Sequence, residues 1–76
     1  MEYYDFEVIK GDTMLAQQRA VALAEPKSAW PKIARLAQNF DQPGCKIRVR
    51  NESGELVIQI GVVAANQMMK KKVLSN

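Results

Sequence analysis

The side chains of this sequence that could do chemistry are a pair of carboxylates, a single thiol and two groups of cations. Asp5 and Glu7 stand two residues apart in an alternating stretch, so a strand would place both on one face, as acid–base catalysis by a carboxylate pair requires. The same spacing is far more common among carboxylates that simply face water. The chain has no histidine, no phosphate-binding glycine motif and no nucleophile-elbow pattern. We therefore expect no catalytic residues and a protein that is not an enzyme.

The single cysteine, Cys45, follows Pro43 and Gly44 at the predicted start of a strand. A small, inert side chain is the better interpretation there than a reactive thiol. One cysteine cannot form an intrachain disulfide, and the sequence has no cysteine–histidine cluster that could hold zinc. We expect no metal, no cofactor and a reducing, cytoplasmic location.

The opening residues lack the basic and apolar segments of a signal peptide. The longest apolar run is far shorter than the roughly 20 residues that a membrane span needs. The sequence therefore predicts no membrane contact.

Acidic residues crowd the start of the chain and none follows Glu55, while the whole chain carries a formal net charge of +3. The candidate nucleic-acid contacts are Lys46, Arg48, Arg50, Lys70, Lys71 and Lys72. The first three would share one strand face, and such a basic stripe neutralises phosphates. Base stacking also needs aromatic rings among the cations, and the aromatic residues lie elsewhere in the sequence. The other interpretation is a solvated basic strand edge followed by a solubilising tail.

Residues 3–10 alternate clearly and predict a strand whose core face carries Tyr4, Phe6 and Val8. Residues 14–24 leave two possibilities open. Their composition fits a helix that begins at Asp12 or Thr13, but they carry no regular apolar stripe. We prefer a loose loop that leads into a short strand over residues 20–24, because this strand would complete a hairpin with the first one.

A helix is predicted from an N-cap at Ser28 to about residue 39, with Pro31 in its first turn, where a missing N–H costs nothing. Apolar residues recur at helical spacing and form one stripe, namely Trp30, Ile33, Ala34, Leu36, Ala37 and Phe40. Residues 41–44, which include Pro43 and Gly44, end it.

Residues 45–60 predict a β-hairpin, and two signals within it disagree about the register. Asn51 and Gly54 favour a three-residue loop over residues 52–54, with Asn51 opposite Glu55. Counted outward, that loop would separate Ile58 and Ile60 from Ile47 and leave them, with Leu56, on the other face of the sheet. Periodicity favours a loop of different length that would gather the apolar residues on one face.

If the three-residue loop holds, the sheet is apolar on both faces and one helix can cover only one of them. The candidate self-association residues are therefore Leu56, Ile58, Ile60 and Val62. Their cover would be a second copy of the chain or the C-terminal segment. With the other register, the protein has a single covered sheet and ordinary scattered exposed apolar residues.

Three stretches resemble a family of short, uncharacterised alphaproteobacterial proteins that form a domain of unknown function. They are Tyr3-Tyr4-Asp5-Phe6, the helix of residues 28–39, and above all residues 43–55, PGCKIRVRNESGE. The resemblance covers about residues 3–64 and implies a strand-strand-helix-strand-strand order, with no activity, cofactor or site residue to carry over. This chain departs from the family at residues 14–19, where the family has an acidic, glycine-bearing link, and in its lysine tail.

These features together predict an α+β fold, in which one helix packs across one face of a small antiparallel sheet in ββαββ order. We expect a single domain over residues 1–64 and a basic tail over residues 65–76, either helical or frayed. The expected function is a small, non-enzymatic, self-associating interaction module, whose partner is a second copy of the chain or an unidentified protein. A nucleic-acid-binding accessory protein is the alternative.

Overall fold

The computed structural model describes the backbone of residues 1–74 and the side chains of residues 1–68. Its elements are β1 (Glu2–Lys10), β2 (Thr13–Leu23), a 3-10 turn (Pro26–Ser28), α1 (Ala29–Asn39), β3 (Cys45–Arg50), β4 (Leu56–Gly61) and α2 (Val62–Leu74). The strands form one antiparallel sheet in the order β2-β1-β3-β4. The predicted α+β class and ββαββ order are confirmed, and a second helix follows β4.

The core lies between the sheet and the two helices, on the side that we call the covered face. Tyr4, Phe6 and Val8 point into it from β1, as their alternation predicts, and meet Ile47 and Val49 from β3. These five side chains are at most 6% exposed. The opposite side, the open face, carries the intervening residues of each strand.

Strand β2 differs from the expectation, because residues 13–19 are strand and not loop. Arg19 and Ala20 both lie opposite Asp5, and Leu15 is an extra residue between the Val8 and Ile9 pairs, so β2 bulges twice. An edge strand that is exposed along most of its length needs no apolar alternation. That is why its pattern resembled neither a strand nor an amphipathic helix.

The β3–β4 hairpin satisfies both of the signals that disagreed. The amides of Gly54 and Asn51 donate to the carbonyl oxygens of Asn51 and Glu55, both at 3.0 Å, which confirms the three-residue loop. Arg50 then pairs with Leu56, but Val49 pairs with Ile58, so Val57 is an extra residue in β4. This bulge moves Ile58 and Ile60 onto the covered face.

The helices pack side by side on that face. Helix α1 buries Ala29, Ile33, Leu36 and Ala37, while Trp30 and Phe40 are half-buried at the margin of the core. Helix α2 contributes Val62 and Ala65, and the Asn66 amide donates to the Ala37 carbonyl oxygen at 3.0 Å. Helix α2 contacts α1, β3 and β4, so it lies on the β4 side of the molecule.

Candidate interaction surfaces

The four residues predicted for self-association do not share one exposed surface. Ile58 and Ile60 pair with Val49 and Ile47 on the covered face and are half-buried against the core. Val62 is fully buried at the start of α2, whereas Leu56 is 45% exposed. Their expected place on the uncovered face was wrong for Ile58 and Ile60, because the count from the turn did not include a bulge.

These residues nevertheless mark the edge of the sheet. Within the described part of the chain, β3 is the only strand that pairs with β4, so the outer side of β4 faces solvent. The strand reads LVIQIG and contains no charged residue and no proline. Val57 is 47% exposed, and Gln59 is exposed beside it. Uncharged, apolar edge strands without proline are the ones that tend to pair with another chain.

The opposite edge, β2, is built differently. Its two bulges interrupt the ladder, and Ala20 has a φ of 55°, outside the extended region. Gln17, Gln18 and Arg19 make the middle of this strand polar. Bulges and charges are the features by which natural sheets prevent edge-to-edge pairing. The two edges of this sheet are therefore not equivalent.

The open face carries an ion-pair cluster at its centre. Oε1 of Glu7 lies 3.4 Å from Nε of Arg48 and 3.5 Å from Nε of Arg50. Glu7 is only 8% exposed, although it stands on the face without a helix, because neighbouring side chains cover it. Two of the predicted nucleic-acid contacts are thus held by a carboxylate, while Lys46 on the same face is exposed. The side chains of Lys70, Lys71 and Lys72 lie outside the described residues.

The carboxylates of Asp5 and Glu7 and the thiol of Cys45 make contacts that stabilise the fold. Asp5 and Glu7 share the open face as predicted, but Asp5 accepts a hydrogen bond from the Ala20 amide and Glu7 pairs with the arginines. Cys45 is 2% exposed and belongs to the hydrophobic core at the start of β3. The buried position of the thiol agrees with the prediction of a packed side chain.

Sequence reasoning missed Val57 and the partnership of Glu7 with two arginines. The conflict between the turn and the periodicity was itself the signal for Val57, because one extra residue reconciles them. The Glu7 cluster depends on the β1–β3 register, which pairs Glu7 with Arg48. That long-range pairing leaves no local signal in the sequence.

Among the side chains that the structure describes, no three histidine, cysteine, aspartate or glutamate residues lie close enough together to hold a metal. No helix within the described residues is long and apolar enough to cross a membrane. Comparisons with protein-family models, with curated proteins and with solved structures each find no match. The resemblance to the alphaproteobacterial family stays a prediction.

Proposed function

We propose that the protein is a small, non-enzymatic interaction module that forms a homodimer through strand β4. In this dimer β4 pairs antiparallel with β4 of a second copy, so that two four-stranded sheets become one sheet of eight strands. The observation that carries the proposal is the uncharged, half-exposed β4 at the edge of the sheet.

Backbone chemistry supports a strand as the occupant of this edge. An edge strand presents unpaired N–H and C=O groups, and another strand satisfies them in a row. Pairing with a second strand would also bury part of the apolar surface that Leu56 and Val57 now expose to water. The β2 edge differs, because it has two bulges and a polar middle that includes Arg19, whereas β4 has one bulge, at Val57, and no charged residue.

Charge supports a second copy of the chain as the partner. Each copy carries a net charge of +3, so a contact surface with further like charges would add short-range repulsion between two copies. Strand β4 contributes no charge to that surface. A two-fold axis across an antiparallel strand pair also sets the residue at the axis opposite its own counterpart, where two like charges would be destabilising.

The variant Gln59→Glu tests the pairing. Gln59 lies opposite Arg48 within the sheet, so the new carboxylate is attracted within one copy. At the middle of β4, however, it meets the same carboxylate of the second copy. We expect sedimentation to show a dimer for the original protein and a monomer for this variant at equal concentration.

Gln38→Glu is the matched control. It makes the same charge change at an exposed position of α1, three residues after Arg35, and not on β4. The control should remain dimeric. If the unsubstituted protein is monomeric at high micromolar concentration, the proposal is wrong.

One observation favours the alternative, nucleic-acid binding. Lys46, Arg48 and Arg50 lie on the open face, and Tyr3 on the same face is 49% exposed, so it could stack with a base. Binding to single-stranded or duplex DNA should then be strongest at about 50 mM salt and weaken steeply as salt is added. Absence of binding at that concentration rejects this alternative.

A further inference from the structure

We infer that the dimer has a second layer, in which helix α2 packs against α2 of the other copy through Ala64 and Met68. This inference rests on the proposed β4 pairing. It assigns a role to Met68, which is 51% exposed. Ala64, four residues earlier, is also exposed.

The orientation of α2 follows from Asn66. Its side-chain amide reaches the Ala37 carbonyl oxygen, so this side of α2 faces α1. Residues two apart on a helix are separated by about 200°, so Ala64 and Met68 both point away from α1. Because α2 lies on the β4 side of the molecule, the side of α2 remote from α1 faces the outer edge of β4.

Strand spacing then sets the distance between the two helices. Paired strands lie about 4.8 Å apart, so a two-fold axis between the two copies of β4 stands about 2.4 Å from β4 and about 7 Å from β3. Helix α2 contacts both strands, so the strand spacing places it about 5 Å from the axis, between the distances of β4 and β3. The two helices come within about 10 Å of each other, which is the separation at which helices pack.

The pairing of residues follows from the position of the axis. An axis near Gln59 lies about 7 to 8 Å from Gly61, where β4 ends and α2 begins. Helix α2 runs back over the sheet from this point, and it covers the same distance in about five residues. The axis therefore passes α2 near Asn66. An antiparallel pair centred there sets the small Ala64 of one copy against the long Met68 of the other, so that their shapes fit.

A helix layer also supplies area that the strands lack. Two strands of six residues pair over a band only about 20 Å long. Specific interfaces bury about 800 Å² on each partner, which is more than such a band provides. The helix contact and the strand contact lie side by side and form one continuous interface.

The test compares Met68→Glu with Gln67→Glu. Both positions are exposed and adjacent on α2, and glutamate is a good helix former, so both variants should fold. We expect Met68→Glu to weaken dimerisation at least about tenfold, because it buries a charge at the seam. Gln67→Glu should change it less than about threefold. Equal effects of the two variants overturn the inference.

Cross-linking provides a second readout. In a Cys45→Ala background, chains with Ala64→Cys are mixed with chains with Met68→Cys and oxidised. The mixture should form a linked dimer, and each variant alone should form much less. Linkage of Met68→Cys to itself at the level of the mixture contradicts the Ala64–Met68 contact.

Different results would contradict the β4 pairing and the α2 contact. If Gln59→Glu dissociates the dimer while Met68→Glu behaves like Gln67→Glu, the strand pairing stands and the helix layer is wrong. If the unsubstituted protein is monomeric throughout, both are wrong.

Discussion

The main-chain amide of Ala20 donates a hydrogen bond to Oδ1 of Asp5, 2.9 Å away across the β1–β2 pair. The bond closes a bulge in which Ala20 has a φ of 55°, a left-handed conformation that favours glycine. One carboxylate thus holds a strained residue within an edge strand. The bulge and its strain are stabilised by a side chain of the neighbouring strand.

Substitution at this bulge should separate strain from hydrogen bonding. Ala20→Gly removes the strain, and we expect it to raise the free energy of unfolding by up to about 1 kcal/mol. Asp5→Ala removes the acceptor and should lower that free energy by about 1 kcal/mol, whereas Asp5→Asn keeps an oxygen in place and should cost less. Urea denaturation of the three variants measures all of these differences. Destabilisation by Ala20→Gly would contradict the assignment of strain.

Deletions in β4 should reveal the bulge at Val57. Removing Val57 leaves Arg50 opposite Leu56 and Val49 opposite Ile58, so every other pair is kept and the fold should survive. Removing Gln59 instead shifts Ile60 to the open face and loses its burial, at about 1.5–3 kcal/mol, as well as its fit with Ile47. Circular dichroism with thermal unfolding compares the two deletions. Equal loss of stability would mean that Val57 is an ordinary ladder residue.

The hairpin and β2 show how far the sequence predicts this fold. Turn chemistry at Asn51 and Gly54 predicts the loop, and alternation predicts the covered face, because each depends on neighbouring residues alone. The bulge at Val57 reconciles the three-residue loop with the apolar alternation of β4, so neither pattern alone predicts it. Residues 13–19 are strand because β1 offers an edge to pair with, and tertiary pairing of this kind overrides the local preference for helix.

The candidate surface was predictable only in part. The sequence pointed to the residues of β4 and to the cations of β3, and both groups lie where interaction is feasible. Which side chains of β4 stay exposed depends on the register, and the strength of the basic stripe depends on Glu7. Both of these facts come from pairing between distant parts of the chain.

Glu7→Gln should measure how much the ion-pair cluster stabilises the fold. The side chain of Glu7 is 11% exposed and those of Arg48 and Arg50 are 29% and 31% exposed, so the interaction is only moderately screened by water. Loss of the carboxylate should lower the free energy of unfolding by about 1–2 kcal/mol. Glu25→Gln is the control, because its pair with Lys27 is well exposed and should contribute close to nothing. If the open face binds nucleic acid, Glu7→Gln should also bind it more tightly, since two cations are released.

Alkaline pH should weaken the fold through Tyr4. Burial, followed by the hydrogen bond that the Tyr4 hydroxyl donates to Glu2 at 3.0 Å and by the charge of Glu2, raises the pKa of Tyr4 above its usual 10.0. The unfolded chain therefore loses this proton at lower pH than the folded chain does. The stability that Tyr4 contributes is fully present below pH 10.0 and is lost as the pH rises through the raised folded pKa.

Tyr4→Phe isolates this effect, because it keeps the ring in the core and removes the ionisable group. We expect its unfolding free energy, measured in urea between pH 8 and 11, to fall less steeply than that of the original protein. Tyr3→Phe is the matched control, since Tyr3 is 49% exposed on the opposite face of the same strand. If Tyr3→Phe and Tyr4→Phe flatten the pH dependence equally, the environment of the Tyr4 hydroxyl beside Glu2 is not its cause.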